Sequence, residues 1–203
     1  MTRARITVLT AALISLVPPS FADTFKLDPS HSSAQFSVKH MMISNVKGEF
    51  SNLSGVVEYD PQHVDKTRVD ATIDVTTINT REPNRDKHLK SPDFFDVEKF
   101  PTMTFKSERA VEEVPGKIKL TGNLTLHGVT KEVTLDVEGP TKPITDMHGS
   151  TRIGASATTT VDRKDFGITW NHNMDGGGVV VGDQIPITLD IELVKQNKVA
   201  ESK

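Results

Sequence analysis

The chain has no cysteine, and only one tryptophan and one tyrosine among its 203 residues. Without cysteine there are no thiol nucleophiles, redox pairs, disulfides or cysteine-based metal sites. There is also no cysteine to acylate at a leader junction. One Trp and one Tyr cannot build the two aromatic girdles of an outer-membrane barrel. Basic residues are in deficit, 24 against 27 acidic. They are scattered rather than gathered into the basic patch that nucleic acid or a polybasic membrane anchor requires. No apolar run after Val17 is long enough to cross a bilayer as a helix. Catalytic signatures are also missing. No Gly-x-Ser-x-Gly elbow occurs, and Gly176-Gly177-Gly178 has no following Lys-Ser/Thr, so it is not a phosphate-binding loop. None of the seven histidines stands in a His-x-His or His-x-x-x-His pair. No catalytic residue, metal or cofactor is expected.

The first 22 residues have the pattern of a secretory signal. Arg3 and Arg5 precede the apolar run Ile6–Val17, Pro18 and Pro19 break it, and Ser20 and Ala22 supply small residues at the −3 and −1 positions. Cleavage is expected before Asp23, which places the remaining domain, residues 23–196, in the periplasm or outside the cell. Without Arg3 and Arg5 the balance is 22 basic to 27 acidic residues, a formal charge of −5. Residues 197–203 form a polar C-terminal tail.

Within that domain apolar residues alternate with polar ones. Ala34, Phe36, Val38 and His40 share one face, as do Val69, Ala71, Ile73 and Val75. Ile118, Leu120, Leu124 and Leu126 alternate likewise with Gly122 in register, followed by Val133, Leu135 and Val137, and by the odd positions from Ile185 to Leu193. Period 2 is the signature of strands with one dry and one wet face. Further strands are expected near 47–59, 103–109 and 151–161. Turn signals at Asp60-Pro61, Pro115-Gly116, His127-Gly128 and Gly182-Asp183 separate them. Only Pro83–Ser91 reads as helical. About eight strands fit a sandwich or a barrel, and an eight-strand barrel either fills its lumen or holds one small ligand. Alternation by itself does not choose.

An ordered set of short motifs runs through the whole domain. It comprises His31-Ser32, Phe36, His40, Gly48-Glu49-Phe50, Gly55, Asp60-Pro61, Ile78-Asn79-Thr80, Arg85-Asp86-Lys87-His88-Leu89 and Asp93-Phe94-Phe95. It continues through Pro101, Phe105, Gly122–Thr130, Arg163–Gly167 and Gly182-Asp183. In this set the chain resembles the YceI-like family of exported bacterial proteins. The resemblance implies a lipocalin-like, extended antiparallel β-barrel that holds a polyisoprenoid, quinone-like or other long-chain lipid without converting it. The other readings are an enzyme acting on an isoprenoid lipid, and a ligand-free stress or interaction barrel.

Parity names Phe36, Val38, Ile73, Phe105, Leu120 and Leu124 as lumen residues, with core packing as the competing role. Phe94, Phe95 and Trp170 are candidates to close one end. His40, on the dry face, is either a headgroup contact or a satisfied core histidine. Arg85 and His88, one helical turn apart, either touch a polar headgroup or anchor the segment in an ion-pair knot, with Asp86 in reach of Lys90. Asn171–Gly178 reads as a mobile surface loop at the barrel mouth. A homodimer through an exposed edge or an apolar rim is compatible with this pattern.

Overall fold

The computed structural model describes residues 22–197. The expected leader, apart from Ala22, and the tail beyond Asn197 lie outside the described residues. Eleven strands follow in chain order: β1 (Asp23–Leu27), β2 (Ser33–His40), β3 (Ser44–Phe50), β4 (Leu53–Tyr59), β5 (Arg68–Asp74) and β6 (Thr102–Val114). Next come β7 (Lys117–Leu126), β8 (Val129–Glu138), β9 (Ile144–Thr145), β10 (Thr151–Asp162) and β11 (Gln184–Lys195). Among the described residues there is one α-helix, α1, at Pro83–Leu89.

Eight of these strands close a ring. β1, β4, β5, β6, β7, β8, β10 and β11 pair in that order, all antiparallel, and β11 returns to β1. Closure removes the unpaired edges that an open sheet would expose. The edge of β11 is shared. Its Leu193–Lys195 end pairs with β1, whereas Ile187–Asp190 pairs with β2, which carries β3 on its other side. The β2–β3 hairpin therefore extends the wall at the end where β11 begins. That end is the mouth, and the β6–β7 turn at Gly116 marks the far end.

Two details depart from the alternation. The expected strand 47–59 is two strands, broken at Asn52, whose φ of 60° turns the chain. Val75 does not continue β5. It starts a 3-10 turn capped by Asp74, which accepts from the Thr76 N–H at 2.9 Å. Val75 is almost fully buried there, and its N–H donates to Pro101 O.

Three packed groups set the interior. At the far end Val64, from the 3-10 turn Val64–Lys66, plugs the ring against Ala110, Ile118 and Leu120. Phe25, Leu27, Phe50, Leu53 and Leu193 form a second group, covered by Val75 and Ile78. The third lies at the mouth, where Phe94, Leu126, Val161, Phe166 and Ile168 meet.

Outside the lumen, Arg152 on β10 gathers three carboxylates. Its Nη1 is 2.7 Å from Asp28 Oδ2 and also donates to Glu192, while its Nε is 2.6 Å from Asp146 Oδ2. Asp28, His31 and Glu192 converge as metal ligands might, but the guanidinium bonds two of them. Hydrogen bonding from Arg152 is the main reason the Asp28 and Asp146 carboxyls lie well below the ordinary range, Asp146 at about 2. A depressed carboxyl stabilises the fold above its unfolded value, about 4, and that contribution is lost as pH falls through the folded value. The melting temperature is therefore expected to drop as pH is lowered from about 4 towards 2. Arg152→Met should flatten that slope in melting curves recorded across the same pH series.

Candidate functional site

The mouth half of the barrel encloses a cavity of about 340 Å³. Its wall is built by the inward parity of the strands. Phe36 and Val38 come from β2, Ile73 from β5, Phe105 from β6 and Leu124 from β7, as alternation predicts. Ala71, Met103, Leu126, Val133 and Leu135 extend the wall, with Val161 from β10 and Ile185, Ile187 and Leu189 from β11. The same alternation carries this second set, so their dry faces are legible in the sequence. What period 2 leaves open is which dry positions line a space and which fill one.

Two glycines help to keep the space open. Gly48 pairs with Phe36 across β2 and β3, and a Cβ on Gly48 would come within 2.3 Å of Phe36 Cζ. The Phe36 ring thus lies along the wall over Gly48. Gly122 does the same for Phe105, whose Cζ is 2.8 Å from where a Cβ would stand. A side chain at either glycine would force the ring to move. The close approach at Gly122, 2.4 Å to Lys106 O, falls beside the β6 bulge at Ser107/Arg109.

Leu120 is a correction to the expected lining. It has the right parity, and its cross-strand neighbour Leu135 reaches the cavity, but Leu120 itself is buried with Ala110 in the Val64 plug. The cavity stops short of it because Val64 closes the narrow far end. No strand pattern could reveal that, since Val64 reaches the barrel from a turn.

The mouth is closed on one side by α1 and the chain after it. Glu82 caps α1 by accepting from Asn84 N and Arg85 N, and Pro83 takes the first helical position, where no N–H is needed. Asp86 does not pair with Lys90 through its side chain. Its Oδ1 accepts from Thr80 N at 2.9 Å and Thr80 Oγ1 at 2.5 Å. Arg85 donates to Thr80 Oγ1 and Thr80 O. Arg85 and Asp86 thus clamp the same threonine instead of forming an ion-pair knot, and Arg85 has no carboxylate partner among the described residues.

The expected closing aromatics meet at this point. Phe94 and Trp170 have ring centroids 5.1 Å apart, and the His88 ring stands edge-on to both at 5.0 Å. His88 Nε2 donates to Asp93 Oδ2 at 2.8 Å, which fixes the imidazole. His172 adds an edge contact to Trp170. Phe95 turns the other way, edge-on to Phe50 at 5.8 Å. Both Phe94 and Phe95 line the cavity and belong to the surrounding core, so closing and packing are one role here.

Opposite α1, the loop after β10 is held by Arg163, which sequence reasoning left inside a motif without a task. Its guanidinium is 5 % exposed. It donates to the carbonyls of Gly182, Ile168, Trp170 and Val181 and to Asp183 Oδ1. Arg163 therefore fixes the backbone that carries Trp170. Asn171 completes the loop by bonding both N–H and C=O of Val181, and Asn173 bridges Val179. His40, at the end of β2, bridges Val181 and faces the cavity rim.

The basic residues that border the cavity are Lys39, His40, Arg85, His88 and Arg163, and of these His88 is bonded to the Asp93 carboxylate and Arg163 to that of Asp183. An apolar cavity with an arginine at its border can take a long chain inside and an oxygen-bearing or anionic group at the entrance. Among the described residues no helix is long and apolar enough to cross a membrane.

Comparison with known proteins agrees with this architecture. The family model for the YceI-like domain matches residues 25–193. Two UPF0312 proteins from Staphylococcus aureus strains are each 37% identical over 168 residues, covering 83% of this chain and 95% of theirs. The YceI protein of Campylobacter jejuni superposes with a TM-score of 0.65 at 32% identity, over 78% of this chain and 90% of that one. BcnA of Burkholderia cenocepacia gives a TM-score of 0.70 at 22% identity, over 82% and 98%. A polyisoprenoid-binding domain of Saccharophagus degradans gives 0.61 at 15% identity, over 87% and 100%.

Proposed function

Because the chain belongs to the YceI-like family, we propose that it is a non-catalytic carrier, holding a polyisoprenoid, quinone-like or other long-chain lipid in the mouth half of its barrel. The observation that carries this reading is the 340 Å³ cavity, apolar in its walls, with Arg85 at its border free of any carboxylate among the described residues. The Saccharophagus domain of similar fold is described as polyisoprenoid-binding, which supports the ligand class. Each buried methylene contributes about 0.8 kcal/mol, so ten give about 8 kcal/mol before ordering costs. Affinity of that kind needs length and dryness rather than a reactive centre.

Phe36, Val38, Ile73, Phe105 and Leu124 hold the chain in this reading, and Phe94, Phe95 and Trp170 close over it. Arg85 is the headgroup ligand. Its Nε and Nη2 are spent on Thr80, which leaves Nη1 for a ligand oxygen. His88, oriented by Asp93, and His40 border the same entrance. The leader pattern at residues 1–22 supports action in the periplasm or outside the cell.

Native mass spectrometry of protein purified from its own cell envelope, followed by organic extraction, tests the proposal. A stoichiometric adduct with a long prenyl or acyl chain is expected. A bare chain that stays bare after exposure to quinone and polyprenyl lipids refutes the carrier reading, and a lipid returned chemically altered refutes its non-catalytic part.

A further inference from the structure

The tip of the β2–β3 hairpin is apolar where a water-facing turn is usually polar. Met41, Met42 and Ile43 are consecutive and exposed, Ile43 at 81%. Met41 and Met42 both take left-handed backbone, with φ of 49° and 62°, so the turn is specified and not slack. It is also anchored. Met41 N donates to Val180 O at 2.8 Å, and His40 bridges Val181. His40, Val180 and Val181 line the cavity, so the apolar tip is continuous with its rim. The facing loop joins it at Gly178, where a Cβ would lie 3.2 Å from Met174 Cε and 3.8 Å from Met42 Cγ.

The charge around the tip runs against that of the chain. From Lys39 to Lys47 there are two lysines and one histidine and no acidic residue, in a protein of net charge −3. Lys47 pairs with Ser37, and Lys39 with Asn45, so both lysines fall on one face of the hairpin. The acidic residues flanking this region in sequence are Asp28, before β2, and Glu49, further along β3, and the facing loop carries Asp175. The two other most exposed large apolar side chains, Ile144 and Met147, lie on and beside β9, which pairs with the start of β10 at the far end.

We infer that this tip docks on an anionic lipid bilayer, with Met42 and Ile43 inserted among the acyl chains and the lysines at the phosphate level. Docking there sets the mouth against the membrane, so that a lipid passes between bilayer and barrel without crossing water. Apolar insertion and basic flanks are the two contributions that hold a protein at an interface. The inference deepens the carrier reading and rests on it. A second copy of the chain is the competing occupant, but a self-complementary patch at the tip gains nothing from lysines when Lys39–Lys47 holds no acidic residue and the hairpin's one carboxylate, Glu49, lies further along β3.

Flotation of the full mature chain tests it, using phosphatidylethanolamine–phosphatidylglycerol vesicles and phosphatidylcholine vesicles. The protein is expected to float with the anionic vesicles and to do so less at high salt. Met42→Ser with Ile43→Ser should lower partitioning about tenfold, and Lys47→Glu should weaken anionic binding alone. Equal flotation of the double variant overturns the docking, as does a dimer that the double variant splits with flotation unchanged. Organic extraction of the same samples separates the two proposals. Protein that carries lipid but does not float overturns the docking and leaves the carrier standing. Protein that floats through the tip but never carries lipid supports the docking and removes the carrier.

Discussion

Replacing Val133 and Ile187 together by phenylalanine is expected to empty the barrel of lipid while leaving it folded. Both residues face the cavity. Val133 pairs with Gly122, but the Phe105 ring already covers that glycine, and Ile187 stands beside Phe36. The new rings therefore have only the lumen to enter. If they displace about three methylenes of a bound chain, the loss is roughly 2.4 kcal/mol, or about fifty-fold in affinity. Adding volume to a filled core costs about 1–3 kcal/mol, whereas an open cavity absorbs it. The measurement is lipid stoichiometry by native mass spectrometry beside a melting curve. Undiminished lipid with an unchanged melting temperature would place the ligand elsewhere.

Arg163→Met is expected to be the most destabilising single change at the mouth. The buried guanidinium satisfies four backbone carbonyls and the Asp183 carboxylate. A thioether of similar length supplies no donor, so the Gly182, Ile168 and Trp170 carbonyls lose this donor in a dry setting, Val181 keeps only Asn171, and Asp183 keeps only Lys164, at 2.7 Å. Removing one side of such a buried network costs about 3–5 kcal/mol. For a chain of this size that is a fall of roughly 10 °C in melting temperature. Arg163→Lys should recover little, because one ammonium cannot reproduce a planar fork with five donors. Denaturant unfolding of both variants gives the two values directly. A loss below about 1 kcal/mol would mean that the loop through Trp170 is held by its other contacts.

Much of this fold was legible in the chain. Alternation along Ala34–His40, Ile118–Leu126 and Ile185–Leu193 dictated strands with one dry face, because side chains on a pleated strand must alternate. The small helical segment was legible from Pro83, which suits a first helical position, whereas its Glu82 cap came only with the structure. Absent cysteine and the scattered charge exclude whole classes of chemistry at the level of the chain alone. The ring itself was decided by long-range pairing. β11 meets β1 and β2, both more than a hundred residues away, and no local pattern encodes such partners.

The cavity was decided the same way. Leu120 and Leu124 are indistinguishable by period, yet Val64 covers the first and open space faces the second. Phe36 and Phe105 could as well have filled the lumen. They lie along the wall because Gly48 and Gly122, on strands joined to theirs by pairing, leave room for the rings. Arg163 shows no partner in sequence, since the carbonyls it binds come from backbone that only folding brings to it. Sequence thus determined which faces would be dry. Tertiary structure decided where a dry face meets another side chain and where it meets space, because that depends on the distances between elements far apart in the chain.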